Sequence, residues 1–370
     1  MRFLFICLLL AAVAADAAPR RRLVVRAGSA EAQWVRARAI AVESTDPDVP
    51  PADLAPLAAI IGADTVVTLG EGTHFTSEFQ TMHHRVIRFL AESLGYRTFA
   101  FEASWPDFRA IDDYLRTGEG DPVALVEDAS WRFWDTREMA DLIAWARSWN
   151  AARPESDWIS FAGVDPSVPE RLVAHLVEYL KRVDPAAVTS ASTSLGCLKG
   201  LGAYHLESDA YRAACRASLE SVGSVLAANR AAYEATAGAR SFAGAARSAS
   251  MILQAERIAS GSVDWAEARD EAMADNVRAL AETSPGGKIA YRAHNGHASA
   301  NGYIDAGRRR ASAGYFLRRT FGDRMFAIGS TGSHGTYHAQ GPPARNQPPS
   351  FGVFPFPTPL AGSWEEIFEQ

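Results

Sequence analysis

TVVTLGEGTHFTSEFQTMHHRVIRFLAESLGYRTFAFEAS, residues 65 to 104, changes its hydrophobic period twice. Residues 65–69 are a brief β-branched run closed by glycine, the pattern of a strand buried on both faces. From 78 to 94, Phe79, Met82, Val86, Leu90 and Leu94 recur every three or four residues, which predicts one amphipathic helix. Gly95 stands where a left-handed helix cap belongs. Residues 97–103 return to a strand pattern. Strand, helix and strand in such short order make a βαβ unit, so the first two strands are expected to run parallel.

The same alternation continues outward. WISFAGV (158–164), KIAYRA (288–293) and MFAIGS (325–330) read as further buried strands, and 136–150 reads as a helix through Met139, Leu142, Ile143, Ala146 and Trp149. Asp135 followed by Glu138 resembles a capping box at its start. The expected fold class is α/β, a mostly parallel central sheet flanked by helices with a large helical insertion. Residues 51–167 and 283–332 would form the two parts of that core. Residues 168–282 are Ala-rich and strand-poor, a helical insertion or cap. Residues 18–50 form an N-terminal extension ending in the Pro-rich DPDVPPAD, and 333–370, rich in Gly, Pro and Phe, are expected to be irregular.

Composition narrows the class. With 370 residues, 48% hydrophobic and 22% charged, the chain has the balance of a globular protein and can bury a real core. The net charge of -6 gives phosphate backbones no general attraction, so nucleic acid is not an expected partner. The opening MRFLFICLLLAAVAADAAPRRR has a positive charge at Arg2, an apolar run from Phe3 to Ala15 and small residues at Ala15 and Ala17, the build of a signal peptide spanning residues 1–17. An apolar run of this length is short of the roughly 20 residues that a bilayer span needs. The expectation is therefore export to the periplasm or beyond, with no stable membrane anchor. Cys7 lacks a lipobox context. The remaining pair, Cys197 and Cys215, is expected to close a disulfide in an oxidising compartment.

Each putative strand ends in a polar or ionisable group: Glu71 and His74, Glu102, Asp165, His294 and His297, Ser330 and His334. In open α/β sheets the ligand crevice lies beyond the carboxyl ends of the strands, so these groups would converge on one edge. A neutral imidazole can take a proton from water, and a carboxylate on its other nitrogen fixes the tautomer. Glu71 lies three residues before His74 with glycines on both sides, and Glu102 is an alternative partner. His294 and His297 would be placed to donate hydrogen bonds to an oxyanion. The same residue types also suit a metal. No HExxH, four-cysteine or EF-hand spacing is present, however, and no cofactor is expected. No GxSxG elbow marks a nucleophilic serine. Trp105, Trp131, Phe133 and Trp134 are candidates for an apolar wall around a large ligand, or for core.

Seven stretches together resemble the erythromycin esterase family: LGEGTHFTSEF (69–79), LGYRTFAFEASW (94–105), FWDTREMADLIAWARSWNA (133–151), FAGVDPS (161–167), ARDEAMADN (268–276), AHNGH (293–297) and FGDRMFAIG (321–329). The resemblance implies metal-independent hydrolysis of a macrolide lactone, with His74 as base supported by Glu71, Glu102, His294 and His297. It also implies supporting roles for Asp165, Arg269 and Asp270. One departure is His83, followed by His84 and Arg85, where relatives commonly carry Lys or Arg. His83 and Arg85 are supporting candidates, although His83 shares a helix face with Phe79, Val86 and Leu90 and would pack there equally well. The other departure is the chain past Gly329, which looks shorter than in the macrolide-cleaving members. The expected partner is a small-molecule ester, a macrolide among the candidates. The alternatives are a haem- or iron-binding envelope protein, a metal-dependent hydrolase, and an accessory of exopolysaccharide synthesis without turnover.

Overall fold

Five short apolar runs become strands because each alternates two buried faces. In β1 (Val66–Glu71), Val67 and Leu69 point to one side and Val66 to the other, and all six residues are buried. The other four are β2 (Thr98–Phe101), β3 (Ser160–Gly163), β4 (Ile289–His294) and β5 (Met325–Gly329). The computed structural model describes residues 4–5, 29–198, 204–305, 307–340, 351–360 and 363–369. Most of the expected signal peptide lies outside these residues.

All the pairings in this sheet are parallel, in the order β5-β1-β4-β2-β3. A two-residue segment, Leu4–Phe5, pairs parallel with Ile328 and Gly329 at the β5 edge. The α/β class with a central parallel sheet between helices is thus what the chain adopts. Register decides the site: Glu71 is the cross-strand partner of His294, and Phe101 that of Arg292. The ends of β1, β4 and β2 therefore sit side by side, and strands over 200 residues apart in sequence deliver their last side chains to one rim.

Early in the chain, α1 (Ala30–Arg36) precedes the first strand. One sheet face is covered by α2 (Ser77–Leu94), α3 (Trp105–Thr117) and α4 (Arg137–Ala151), whose apolar stripes interlock with Val67, Leu69, Phe99, Phe101 and Phe161. Gly95 caps α2 at φ 74°, the left-handed conformation that favours glycine. The start of α4 differs from the sequence expectation. Its N-cap is Thr136, whose hydroxyl accepts from the Met139 N–H, while the Glu138 carboxylate takes a hydrogen bond from Ser77. A threonine and an aspartate stand next to each other at that start, and only the backbone path chooses between them.

Helices α5 (Pro169–Val183), α6 (Asp209–Ala228), α7 (Ala239–Ala259) and α8 (Trp265–Ala281) share one apolar cluster with Val66, Ala100, Ala162, Ile289 and Tyr291 on the opposite sheet face. The Ala-rich middle is thus a layer of the same core. Cys197 and Cys215 are disulfide-bonded, which ties the chain after Leu195 to α6. Past β5 the chain is more regular than its composition suggests. The antiparallel pair β6 (Thr336–Gln340) and β7 (Phe351–Pro355) is followed by α10 (Trp364–Glu369), which packs on α1, while α9 (Asn295–Ala298) follows β4 directly. Tyr337 and Phe354 are cross-strand partners in that pair, with their rings 5.8 Å apart.

Candidate active site

At the rim, two histidine–carboxylate units lie on either side of His294. In the first, the His74 Nδ1 is 2.9 Å from Glu71 Oε1. An ionised carboxylate accepts only, so Nδ1 carries the proton, and in the neutral form of the ring Nε2 keeps its lone pair. Phe133 stacks on the ring at 4.1 Å and Gln80 donates to the His74 carbonyl, so the imidazole is held on two sides while a quarter of it stays exposed. Glu71 itself is fully buried. Burial alone would raise its pKa, but Arg292 and His74 outweigh that and hold it below the ordinary carboxylate range.

In the second unit, the His297 Nδ1 donates to Asp270 at 2.8 Å, and its Nε2 lies 3.3 Å from Glu102 Oε1. Arg269 joins this unit to β3. Its Nη2 donates to Glu102 at 2.8 Å and to Asp165 at 2.6 Å, and its Nη1 lies 3.0 Å from His297 Nε2. A donor beside Nε2 favours a neutral ring, whereas two carboxylates favour the imidazolium. Burial opposes the charge, yet Glu102 and Asp270 prevail and push His297 up to about 10. His297 is therefore a cation at neutral pH, and it holds Glu102 well below the usual carboxylate range with the help of Arg269.

His294 links the units, but not as an oxyanion donor. Its Nε2 donates to the Gly72 carbonyl at 3.1 Å, its Nδ1 accepts from the Gly296 N–H at 3.1 Å, and its backbone N–H donates to Glu102 at 2.9 Å. Both ring nitrogens are occupied, and burial keeps the ring neutral. Its centroid lies 5.4 Å from that of His74. His294 thus fixes the loop that carries His74.

Gly70 is glycine for space and not for backbone freedom. A Cβ there would stand 2.3 Å from Asn295 Oδ1, and Asn295 bonds both the Ser330 carbonyl and its N–H. That clasp brings the end of β5 to the rim.

His83 lies beneath the first unit, with Nε2 3.2 Å from Ser330 Oγ and Nδ1 4.0 Å from Glu71 Oε2. Burial, followed by the nearby Arg292 charge, lowers it to about 3, so it is a neutral ring and supplies no cation. Arg85 stands apart from both units. Its guanidinium pairs bidentately with Asp53 and donates to the carbonyls of Ser44 and Pro50, anchoring the segment before the first strand. The helix turns His83 inward to the sheet and Arg85 away from it, a difference that two residues of helical rotation impose. His334 is exposed and bonded to Ser333. Of the aromatic candidates, Phe133 meets the site, whereas Trp105 and Trp134 are core.

Arg292 was not among the residues singled out from the sequence. It is 2% exposed, places Nη2 3.0 Å from Glu71 Oε2 and lies over the Trp134 ring at 4.8 Å. Its signal was present: a charge inside an otherwise apolar buried strand requires a partner of opposite sign. Among the described residues, no group of three or more His, Cys, Asp and Glu side chains is arranged to hold a metal ion. Nor is any helix there long and apolar enough to cross a membrane.

A Bacillus cereus crystal structure is 25% identical and superposes with a TM-score of 0.76, covering 92% of this chain and 82% of that one. A solved erythromycin esterase mutant in its open conformation, 20% identical, shares the fold with a TM-score of 0.63 over 85% of this chain and 81% of that one. Type II erythromycin esterase of Escherichia coli is 34% identical over 133 residues, 36% of this chain and 31% of that protein. A putative hydrolase of Bacillus subtilis is 27% identical over 143 residues, 38% of this chain and 31% of that protein. The chain thus aligns with about a third of the length of these curated relatives. The erythromycin esterase family model matches residues 91–370, which contain Glu102, Asp165, Arg269, Asp270, His294 and His297, and on that match the chain belongs to the erythromycin esterase family.

Proposed function

We propose that this protein is an exported hydrolase of carboxylic esters or lactones in which His74 activates water. The observation that carries this reading is the His74–Glu71 pair. A carboxylate 2.9 Å from Nδ1 leaves Nε2 as an unprotonated acceptor on a partly exposed ring at the carboxyl rim of the sheet. Water bound to Nε2 gives up a proton as it attacks the ester carbonyl, and the resulting imidazolium is stabilised by ionised Glu71; collapse of the tetrahedral intermediate breaks the ester C–O bond, and the imidazolium returns the proton to the leaving alkoxide. Charge developing on the carbonyl oxygen would lie near His297 and Arg269, two cations that the carboxylates of Glu102, Asp165 and Asp270 hold in place. Because both nitrogens of His294 are engaged, its contribution is to hold the loop and not to donate.

Erythromycin and related macrolactones are the leading substrate class, supported by the family match and by the similarity to the type II esterase. Phe133, stacked on His74 and lying 5.6 Å from Trp131, begins an apolar wall beside the reacting group. Export is supported by the N-terminal sequence pattern and by the Cys197–Cys215 bond, which suits an oxidising compartment. An exported macrolide esterase would open the drug before it reached the cytoplasm and so confer resistance.

The test is incubation of the purified protein with 14- and 16-membered macrolides and simple aryl esters, with mass spectrometry for the addition of one water. For an ester that is turned over, His74→Ala is expected to reduce kcat by roughly 10²- to 10⁴-fold. Full activity in that variant, with its fold intact, would refute the assignment of the base.

A further inference from the structure

We infer that Arg292 is a positioning residue: it keeps Glu71 ionised and, through Glu71, holds the His74 proton on Nδ1 so that Nε2 is left to water. The inference rests on the hydrolase reading above and adds to it a residue whose role that reading leaves open.

Among the described residues, four titratable or charged groups lie around the Glu71 carboxylate. His74 comes from the loop after β1, His83 from α2, and Arg292 and His294 from β4, His294 being a neutral ring with both nitrogens engaged. Of these, Arg292 alone carries a charge that does not depend on pH in the working range, and it lies at 3.0 Å. The Glu71 and Arg292 side chains are 1% and 2% exposed, so the pair exchanges little with solvent. A carboxylate in such a place without its cation takes up a proton. Protonated Glu71 would donate to His74 Nδ1, the ring proton would move to Nε2, and the base would be lost. His83 does not replace Arg292, because its Nε2 lies at Ser330 Oγ and the ring is neutral.

The setting of Arg292 favours this role over a scaffolding one. Arg85, which anchors the segment before the first strand, adds the carbonyls of Ser44 and Pro50 to its pair with Asp53. Among the described residues Arg292 makes its side-chain hydrogen bond to Glu71 and to no carbonyl, while its Nε, like that of Arg85, meets no partner. Its face rests on Trp134, whose indole N–H donates to the Glu102 carbonyl at 3.0 Å, so the cation is pinned under the rim beside both units.

The experiment compares the wild-type protein with R292Q and R292K. Ring ¹⁵N shifts of His74 report the tautomer without any substrate, and the pH profile of kcat/KM is read on an ester that the protein hydrolyses. The wild type is expected to show the Nδ1–H form. R292Q is expected to populate Nε2–H, to move the acid limb of kcat/KM up by about one pH unit or more, and to lower kcat about 10- to 100-fold with KM little changed. R292K, which returns the charge, is expected to recover the Nδ1–H form and most of the limb.

A folded R292Q that keeps both the Nδ1–H tautomer and the wild-type limb overturns the proposal. If R292Q does not fold, R292K decides, since loss of the Nδ1–H form in a folded protein that retains the cation overturns it equally. Full activity in His74→Ala would refute His74 as the base, absence of turnover of any ester would sink the hydrolase reading, and the tautomer shifts would still judge Arg292.

Discussion

Mild acid is expected to weaken this fold before its carboxylates titrate, because α2 buries two imidazoles that the unfolded chain would protonate. His83 and His84 are 1% and 4% exposed, and burial lowers both from 6.5 to about 3. Between those values the unfolded state binds more protons than the folded one, so stability falls as pH falls. From pH 7.5 to pH 5 the loss is about 2 kcal/mol per ring, a figure set by the unfolded value because both folded rings stay neutral at pH 5. His297 acts in the opposite sense. Raised to about 10, it contributes stability that is fully present below 6.5 and is lost as pH rises through 10, and over the same interval it returns about 1 kcal/mol. Glu71 and Glu102, held low, begin to lose their contribution only near pH 4.5 and below. Together these three rings give a loss of about 3 kcal/mol, a large part of the roughly 5–15 kcal/mol typical of a folded domain, and His175, lowered to about 4 by burial, and His294, also lowered by burial, add to it in the same sense. Urea unfolding followed by tryptophan fluorescence at the two pH values measures it. His84→Phe is the diagnostic variant, since His84 lies outside both histidine–carboxylate units, packs 5.6 Å from Trp145 and has an Nε2 without a partner among the described residues. It should reduce the acid loss by about 2 kcal/mol. Equal losses in the variant and the wild type, or stability that rises on acidification, would refute the reasoning.

Other expectations follow from packing and linkage. Gly70→Ala drives a Cβ into Asn295 Oδ1, so it should cost about 1–3 kcal/mol and depress hydrolysis as the β5 end shifts, read by thermal unfolding together with kcat. Asp53→Asn unpairs the buried Arg85 charge and should cost up to about 3–5 kcal/mol in urea unfolding. It should leave kcat/KM of the folded enzyme unchanged, and a large kinetic effect would return Arg85 to the site. Reduction of Cys197–Cys215, or Cys197→Ser with Cys215→Ser, opens a separation of 18 residues and should lower stability by about 3 kcal/mol, measured by the urea midpoint with and without reductant.

Much of the architecture was legible because it depends on local pattern. Five apolar runs with β-branched and aromatic residues had to be strands, and the spacing of Phe79, Met82, Val86 and Leu90 had to be a helix ending at Gly95. The polar groups at the strand ends followed from parallel topology. Local pattern failed where two neighbours compete for one role or where a partner is distant. Thr136 and not Asp135 caps α4, and the Gly- and Pro-rich chain end contains a hairpin whose pairing is decided across strands.

What the sequence alone determined is the fold class, the strand and helix positions and the residue types gathered at the rim, since these are fixed by periodicities of two and 3.6. What only tertiary structure decided is the state of each group: the His74 proton on Nδ1, His297 as a cation, His83 as a neutral ring, His294 with both nitrogens engaged and Arg292 as the counterion of Glu71. Protonation and tautomer depend on which charges lie within a few ångströms and how much water is excluded, and those distances arise from strand register between segments more than 200 residues apart.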